Sequence, residues 1–143
     1  MSVFSFIDQV LEVKKGQSIT AFFTLEGTEE FLLDHFEGFP VMPGVLLLES
    51  LKQAAVRLLD ASLKDEKLYR LTKVPSVKFG QFVRPGSRLR ISVDWVGEKE
   101  GRMDFKGRIN LMNGNIEGPK ALQAVFSLSA VGSKVTEGVG SRK

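Results

Sequence analysis

Asp34-His-Phe-Glu-Gly-Phe-Pro-Val-Met-Pro-Gly-Val-Leu-Leu-Leu-Glu-Ser-Leu-Lys-Gln-Ala-Ala-Val-Arg-Leu-Leu59 is the stretch on which the reading of the whole chain turns. From Val45 to Leu59 it contains no breaker, few β-branched residues and strong helix formers, so it reads as one long helix. Pro43 suits the entry of that helix, and Pro40 prevents it from starting earlier, which leaves residues 35 to 43 as a shaped loop. Apolar residues lie on nearly every side of the helix, a pattern that predicts burial on all faces.

Outward from the helix the pattern changes to that of strands. Phe4 to Val13 and Gln17 to Leu25 are separated by Lys15-Gly16 and predict a hairpin. Beyond Asp65 come Leu68 to Phe79, Ser87 to Val96, Arg102 to Met112 and Pro119 to Val131, divided by Pro85-Gly86, Glu98 to Gly101 and Asn113-Gly114. Asn113-Gly114 is the sequence of a two-residue hairpin turn. Two strands, one helix and four strands make an α+β domain, in which an antiparallel sheet of six strands wraps the helix. The domain is expected to span residues 1–131, with 132–143 a disordered tail.

Composition sets the outer bounds. A chain of 143 residues with 43% hydrophobic and 26% charged residues is sized and composed as one globular domain. It has no cysteine, so thiol nucleophiles, thiolate metal sites and disulfides are excluded. The longest apolar run, Val45 to Leu48, is far too short to span a bilayer, and the opening residues carry no basic leader, so the expectation is a soluble cytoplasmic protein. The net charge of +3 is a mild bias, and no nucleic-acid motif accompanies it. Arg84, Arg88 and Arg90 around one Pro-Gly turn read as a solvated face or as a dock for an acidic protein.

The chemistry concentrates at the helix entry. His35, the one histidine, is either a solvated loop residue or a general base. Glu49 stands among Leu46, Leu47, Leu48 and Leu51; it is either a surface carboxylate satisfied by Gln53 at i+4, or a carboxyl kept protonated by apolar surroundings, and so a general acid. The amides of Gly44 and Val45 face out of the helix N-terminus, where partial positive charge polarises a carbonyl oxygen. Base, acid and oxyanion donors together suit an elimination or a hydration.

These residues carry a resemblance. His35, Phe36, Gly38, Pro40, Pro43, Gly44, Val45, Leu46, Glu49 and Gln53 match, in register, the motif of the FabZ-type β-hydroxyacyl-acyl-carrier-protein dehydratases, which have the hotdog fold. Val77 to Ile91 resembles the family's strand and Pro-Gly turn. The resemblance implies dehydration of 3-hydroxyacyl-carrier-protein thioesters in fatty-acid or related acyl-chain biosynthesis. His35 would act as base and Glu49 as acid, Gly44 and Val45 would hold the thioester oxygen, and Pro43 and Gln53 would support them. It implies no metal or organic cofactor, acyl carrier protein as partner, and a homodimer or trimer of dimers with sites shared between subunits. Phe79 and Phe82 read as core packing or as lining of an acyl tunnel. The departures are Glu37 where the family has proline, Asp34 where glycine is common, and an opening segment without the family's polar residues. A hotdog thioesterase, with Glu49 activating water, and a noncatalytic carrier-binding module are the alternatives.

Overall fold

The computed structural model describes residues 4–26, 41–64 and 67–133. Strand β1 (Gln9–Lys14) and β2 (Ser18–Thr24) form the opening hairpin, α1 (Gly44–Leu63) follows, and β3 (Lys67–Phe79), β4 (Arg88–Lys99), β5 (Arg102–Asn113) and β6 (Ile116–Ser133) complete the domain. All pairings are antiparallel and the sheet order is β1-β2-β4-β5-β6-β3, so β1 and β3 are its edges. The expected segments are present with shifted ends, the first strand starting at Gln9 rather than Phe4. The helix runs four residues past Leu59, and β6 continues through Gly132 and Ser133, residues assigned above to the tail; Lys67 pairs with Ser133. Residues 134–143 lie outside the described residues.

Turn chemistry sets the registers. At β4–β5, Lys99 pairs with Arg102 around Glu100 and Gly101, both at positive φ (51° and 81°), which matches the right-handed twist of the flanking strands. At β5–β6 the expected turn is displaced by one residue. Asn113 is the last residue of β5 and pairs with Ile116, leaving Gly114 at φ 66° as the first turn residue. Glycine takes that conformation without steric cost, and this decides the register.

The core is the contact between the concave sheet face and one stripe of α1. Leu47, Leu51, Ala54, Ala55, Leu58 and Leu59 are buried at helical spacing against Ile91, Val93, Phe105, Ile109, Leu122, Phe126 and Leu128, which alternate along their strands. Phe105 stacks on Phe126 with ring centroids 5.4 Å apart. Burial of the helix on all faces is not observed. Val45 is 71% exposed, and Leu46, Leu48 and Val56 are half-buried, because a single sheet covers a single side.

Gly107 in mid-β5 permits the close approach of helix to sheet, since a Cβ there would lie 2.9 Å from Leu51 Cδ2, and Leu51 is fully buried. Gly107→Ala is therefore expected to cost about 1–3 kcal/mol through overpacking. Chemical denaturation would check this, and an unchanged midpoint would refute the tight fit.

At the far end of the sheet, Asp104 Oδ1 accepts hydrogen bonds from Ser127 Oγ (2.6 Å) and Arg102 Nε (3.0 Å). The Ser127 bond, then the Arg102 bond, hold the Asp104 carboxyl below its ordinary pKa of 3.8. A depressed folded pKa adds stability above the ordinary value that is lost as pH falls through the folded one. The stability advantage of wild type over Asp104→Asn should therefore shrink below about pH 4, as read from denaturant midpoints at pH 7 and pH 3.

Candidate active site

The start of α1 is fastened to the sheet through its approach. Met42 N–H donates to the Val83 carbonyl (2.8 Å), while Gly80 and Gln81 N–H donate to the Ala121 and Lys120 carbonyls (both 2.9 Å). Pro43 occupies the cap position and offers no side-chain cap, and the first turn holds no acidic residue. Among the described residues, none accepts a hydrogen bond from the amides of Gly44 or Val45. The helix thus presents, among the described residues, two unengaged donors at its positive end.

Those donors border an apolar cleft of about 350 Å³ lined by Val41, Met42, Pro43, Gly44, Leu47, Phe79, Gly80, Gln81, Phe82, Val83 and Ala121. Core packing of Phe79 and Phe82, the first reading above, is overturned. They are 62% and 64% exposed and stand at the cleft, Phe79 at the end of the edge strand β3 and Phe82 just beyond it. Phe79 lies across the helix start, where a Cβ on Gly44 would come 2.6 Å from its Cε1 atom. Only a residue without a side chain lets that ring approach the first turn.

Glu49 lies elsewhere on the helix. Five residues from Gly44 correspond to about 140° around the axis. It is half-buried in a second depression, of about 410 Å³, that it shares with Phe4, Lys52, Gln53, Val56, Arg57 and Tyr69 among others. The enclosure by leucines expected from sequence is not met within one chain, since Leu47 and Leu51 point into the core, on another side of the helix. The expected partner is present, with Gln53 Nε2 donating to Glu49 Oε2 at 3.3 Å. Gln53 also donates to the Phe4 carbonyl and accepts from the Phe6 N–H, both at 2.8 Å. No sequence signal pointed to those two backbone partners, which are 47 or more residues away along the chain.

His35, with Phe36, Gly38 and Pro40, lies outside the described residues. The cleft at Gly44 and the groove at Glu49 share no lining residue. Of the arginines, Arg84 is exposed, whereas Arg88 is half-buried with its guanidinium 4.4 Å from the Phe22 ring centroid and bonded to Gln9 Oε1 at 3.4 Å, so the three do not make one free cationic face. Among the described residues, no three histidine or acidic side chains are placed to hold a metal, and no helix is long and apolar enough to cross a membrane.

A long helix held by an antiparallel sheet of six strands, with an apolar cleft beside the helix N-terminus, defines a hotdog-fold protein, and solved structures share this fold. A chain of the dehydratase heterocomplex ApeI:P from Xenorhabdus doucetiae matches with a TM-score of 0.62 at 21% identity, covering 84% of this chain and 96% of that one. A hypothetical thioesterase with coenzyme A from Streptococcus pneumoniae matches at 0.66 with 12% identity, covering 93% and 96%. Both establish the fold alone.

The family follows from sequence. The model of the ApeI-like dehydratases matches residues 11–115, and a 3-hydroxyacyl-[acyl-carrier-protein] dehydratase FabZ of Variovorax paradoxus is 38% identical over 109 residues, 73% of each chain. The chain belongs to the ApeI-like and FabZ dehydratases, and it is a hydro-lyase. Of the three readings open at the level of sequence, membership selects the dehydratase over the thioesterase and the noncatalytic module.

Proposed function

We propose that this enzyme removes water from a 3-hydroxyacyl thioester carried on acyl carrier protein, giving the trans-2-enoyl thioester, in a site shared by two subunits of a homodimer. The observation that carries the reading is a helix whose unengaged Gly44 and Val45 amides border an apolar cleft, with Glu49 and Gln53 following in the family's register.

The chemistry follows from these groups. An imidazole nitrogen of His35 takes a proton from the carbon beside the thioester carbonyl. The charge that develops on the carbonyl oxygen is met by the Gly44 and Val45 amides and the helix dipole. Glu49 passes its proton to the departing β-hydroxyl. The carbon–oxygen bond breaks, the double bond forms and water leaves; return of the proton from His35 through solvent to Glu49 resets the site. Pro43 fixes the helix entry that aims the amides, and Gln53 orients the acid.

Sharing between subunits is supported by the separation of the two depressions. In one chain the oxyanion donors and the acid open on different sides of α1. A second copy laid over the outer helix face that carries Val45, Glu49 and Val56 would bury the apolar surface left uncovered there. It would also bring one subunit's Glu49 to the other's cleft, and supply the apolar surroundings that a single chain lacks. The FabZ relatives act, by their name, on carrier-bound 3-hydroxyacyl groups, and the Xenorhabdus protein is a heterocomplex. The same substrate class and a multi-subunit assembly are inferred here.

The test is the mass of a 3-hydroxyacyl carrier-protein thioester after incubation with the enzyme. Loss of one water, about 18 Da, is the expected result of the elimination. Release of free acid would point to a thioesterase, and an unchanged thioester across short and long chains would leave only binding; either would overturn the proposal.

A further inference from the structure

The half of the site that holds Glu49 ties Gln53, which orients the acid, to the N-terminal segment of the chain. Gln53 binds the main chain of the N-terminal segment on both sides of Ser5, accepting from Phe6 N–H and donating to the Phe4 carbonyl, each at 2.8 Å. Turning its amide over would set donor against donor at Phe6 and acceptor against acceptor at Phe4, so the segment dictates which end of the amide faces where. What remains for Glu49 is a hydrogen of Nε2, at 3.3 Å from Oε2.

Glu49 Oε2 must therefore accept. In a protonated carboxyl the carbonyl oxygen is the stronger acceptor, so this bond favours the tautomer with the transferable proton on Oε1. The segment that imposes this is itself held by rings. Phe6 is buried, with its ring centroid 4.8 Å from Phe4 and 5.5 Å from Phe23 on β2, and Phe4 lies 6.0 Å from Phe23.

We infer that the N-terminal segment Phe4–Phe6 positions the catalytic acid, acting through Gln53 to fix which oxygen of Glu49 carries the proton. Gln53 and Phe4 are positioning residues that touch no substrate; the inference rests on the dehydratase reading of Glu49. The 3.3 Å bond is long, as contacts in a site without substrate often are.

The experiment measures kcat and KM for a 3-hydroxyacyl carrier-protein thioester with the full-length chain, for Gln53→Met and Phe4→Ala, each in the wild-type and the Glu49→Gln background. Gln53→Met should lower kcat about tenfold with KM within about twofold, because a group that acts on the acid contributes only in the transition state. Phe4→Ala, at a half-exposed position that tolerates truncation, should lower kcat about threefold. Neither should lower the residual rate of Glu49→Gln further, since no acidic proton is then left to place. Wild-type kcat in both variants, or losses of equal size in the Glu49→Gln background, would overturn the inference while the dehydratase reading stands. Absence of water loss by the wild-type chain would bring down both, so the two failures are distinguishable.

Discussion

Glu49→Gln should lower turnover by about a hundredfold or more while leaving the fold intact. The substitution keeps the length and shape of the side chain and preserves an acceptor for Gln53 Nε2, so the contact seen at 3.3 Å survives. It removes the one proton the scheme delivers to the leaving hydroxyl, and general acid catalysis is worth about 10² to 10⁴ in rate. Stability should be little affected, because Glu49 is half-buried at a groove and makes no ion pair among the described residues. A large loss of turnover with an unchanged thermal midpoint is the expected pair of results. Turnover near that of wild type would remove Glu49 from the mechanism.

His35→Ala should cause a loss of the same order, about a hundredfold or more, by removing the base that takes the α-proton. The two substitutions differ in what they leave behind. Without His35 no carbanion-like charge is generated for the Gly44 and Val45 amides to meet, whereas without Glu49 the α-proton can still be removed. In deuterated water, Glu49→Gln should exchange the α-hydrogen of a bound thioester for deuterium faster than it releases water, and His35→Ala should do neither. Mass spectrometry of recovered substrate would read this difference. Equal exchange by both variants would contradict the assignment of base and acid.

Much of the fold was legible because each element obeys a local rule. The unbroken run from Val45 gives a helix, and alternation gives the strands that face it. The errors fall where tertiary context decides. Asn113 looks like a turn residue, but pairing of β5 with β6 draws it into the ladder and leaves Gly114 to turn. Phe79 and Phe82 look like core, but Phe79 ends the edge strand at the margin of the helix start and Phe82 lies beyond the strand, and there they line a cleft. The apolar residues around α1 count correctly as surface to be buried. One chain buries only a stripe of them, and periodicity alone cannot say what covers the rest.

The site was legible to the extent that it is local. Pro43, Gly44, Val45, Glu49 and Gln53 lie on one helix and its cap, so spacing placed them, and the i+4 contact of Gln53 with Glu49 is present. The contacts of Gln53 with Phe4 and Phe6 join distant segments through main-chain atoms, which carry no signature in the side-chain sequence. Enclosure of the acid by leucines failed as a sequence inference because neighbours in sequence stand on different sides of a helix.

Mixing the two inactive variants tests the central claim most directly. His35→Ala and Glu49→Gln chains would be combined in equal amounts, exchange of subunits verified by native mass spectrometry, and water loss from a 3-hydroxyacyl carrier-protein thioester measured. If each site takes His35 from one subunit and Glu49 from the other, random exchange puts half the chains in mixed dimers with one intact site each, and activity should return to about a quarter of the wild-type value. No recovery above the separate variants, with exchange complete, would contradict a site built across two subunits.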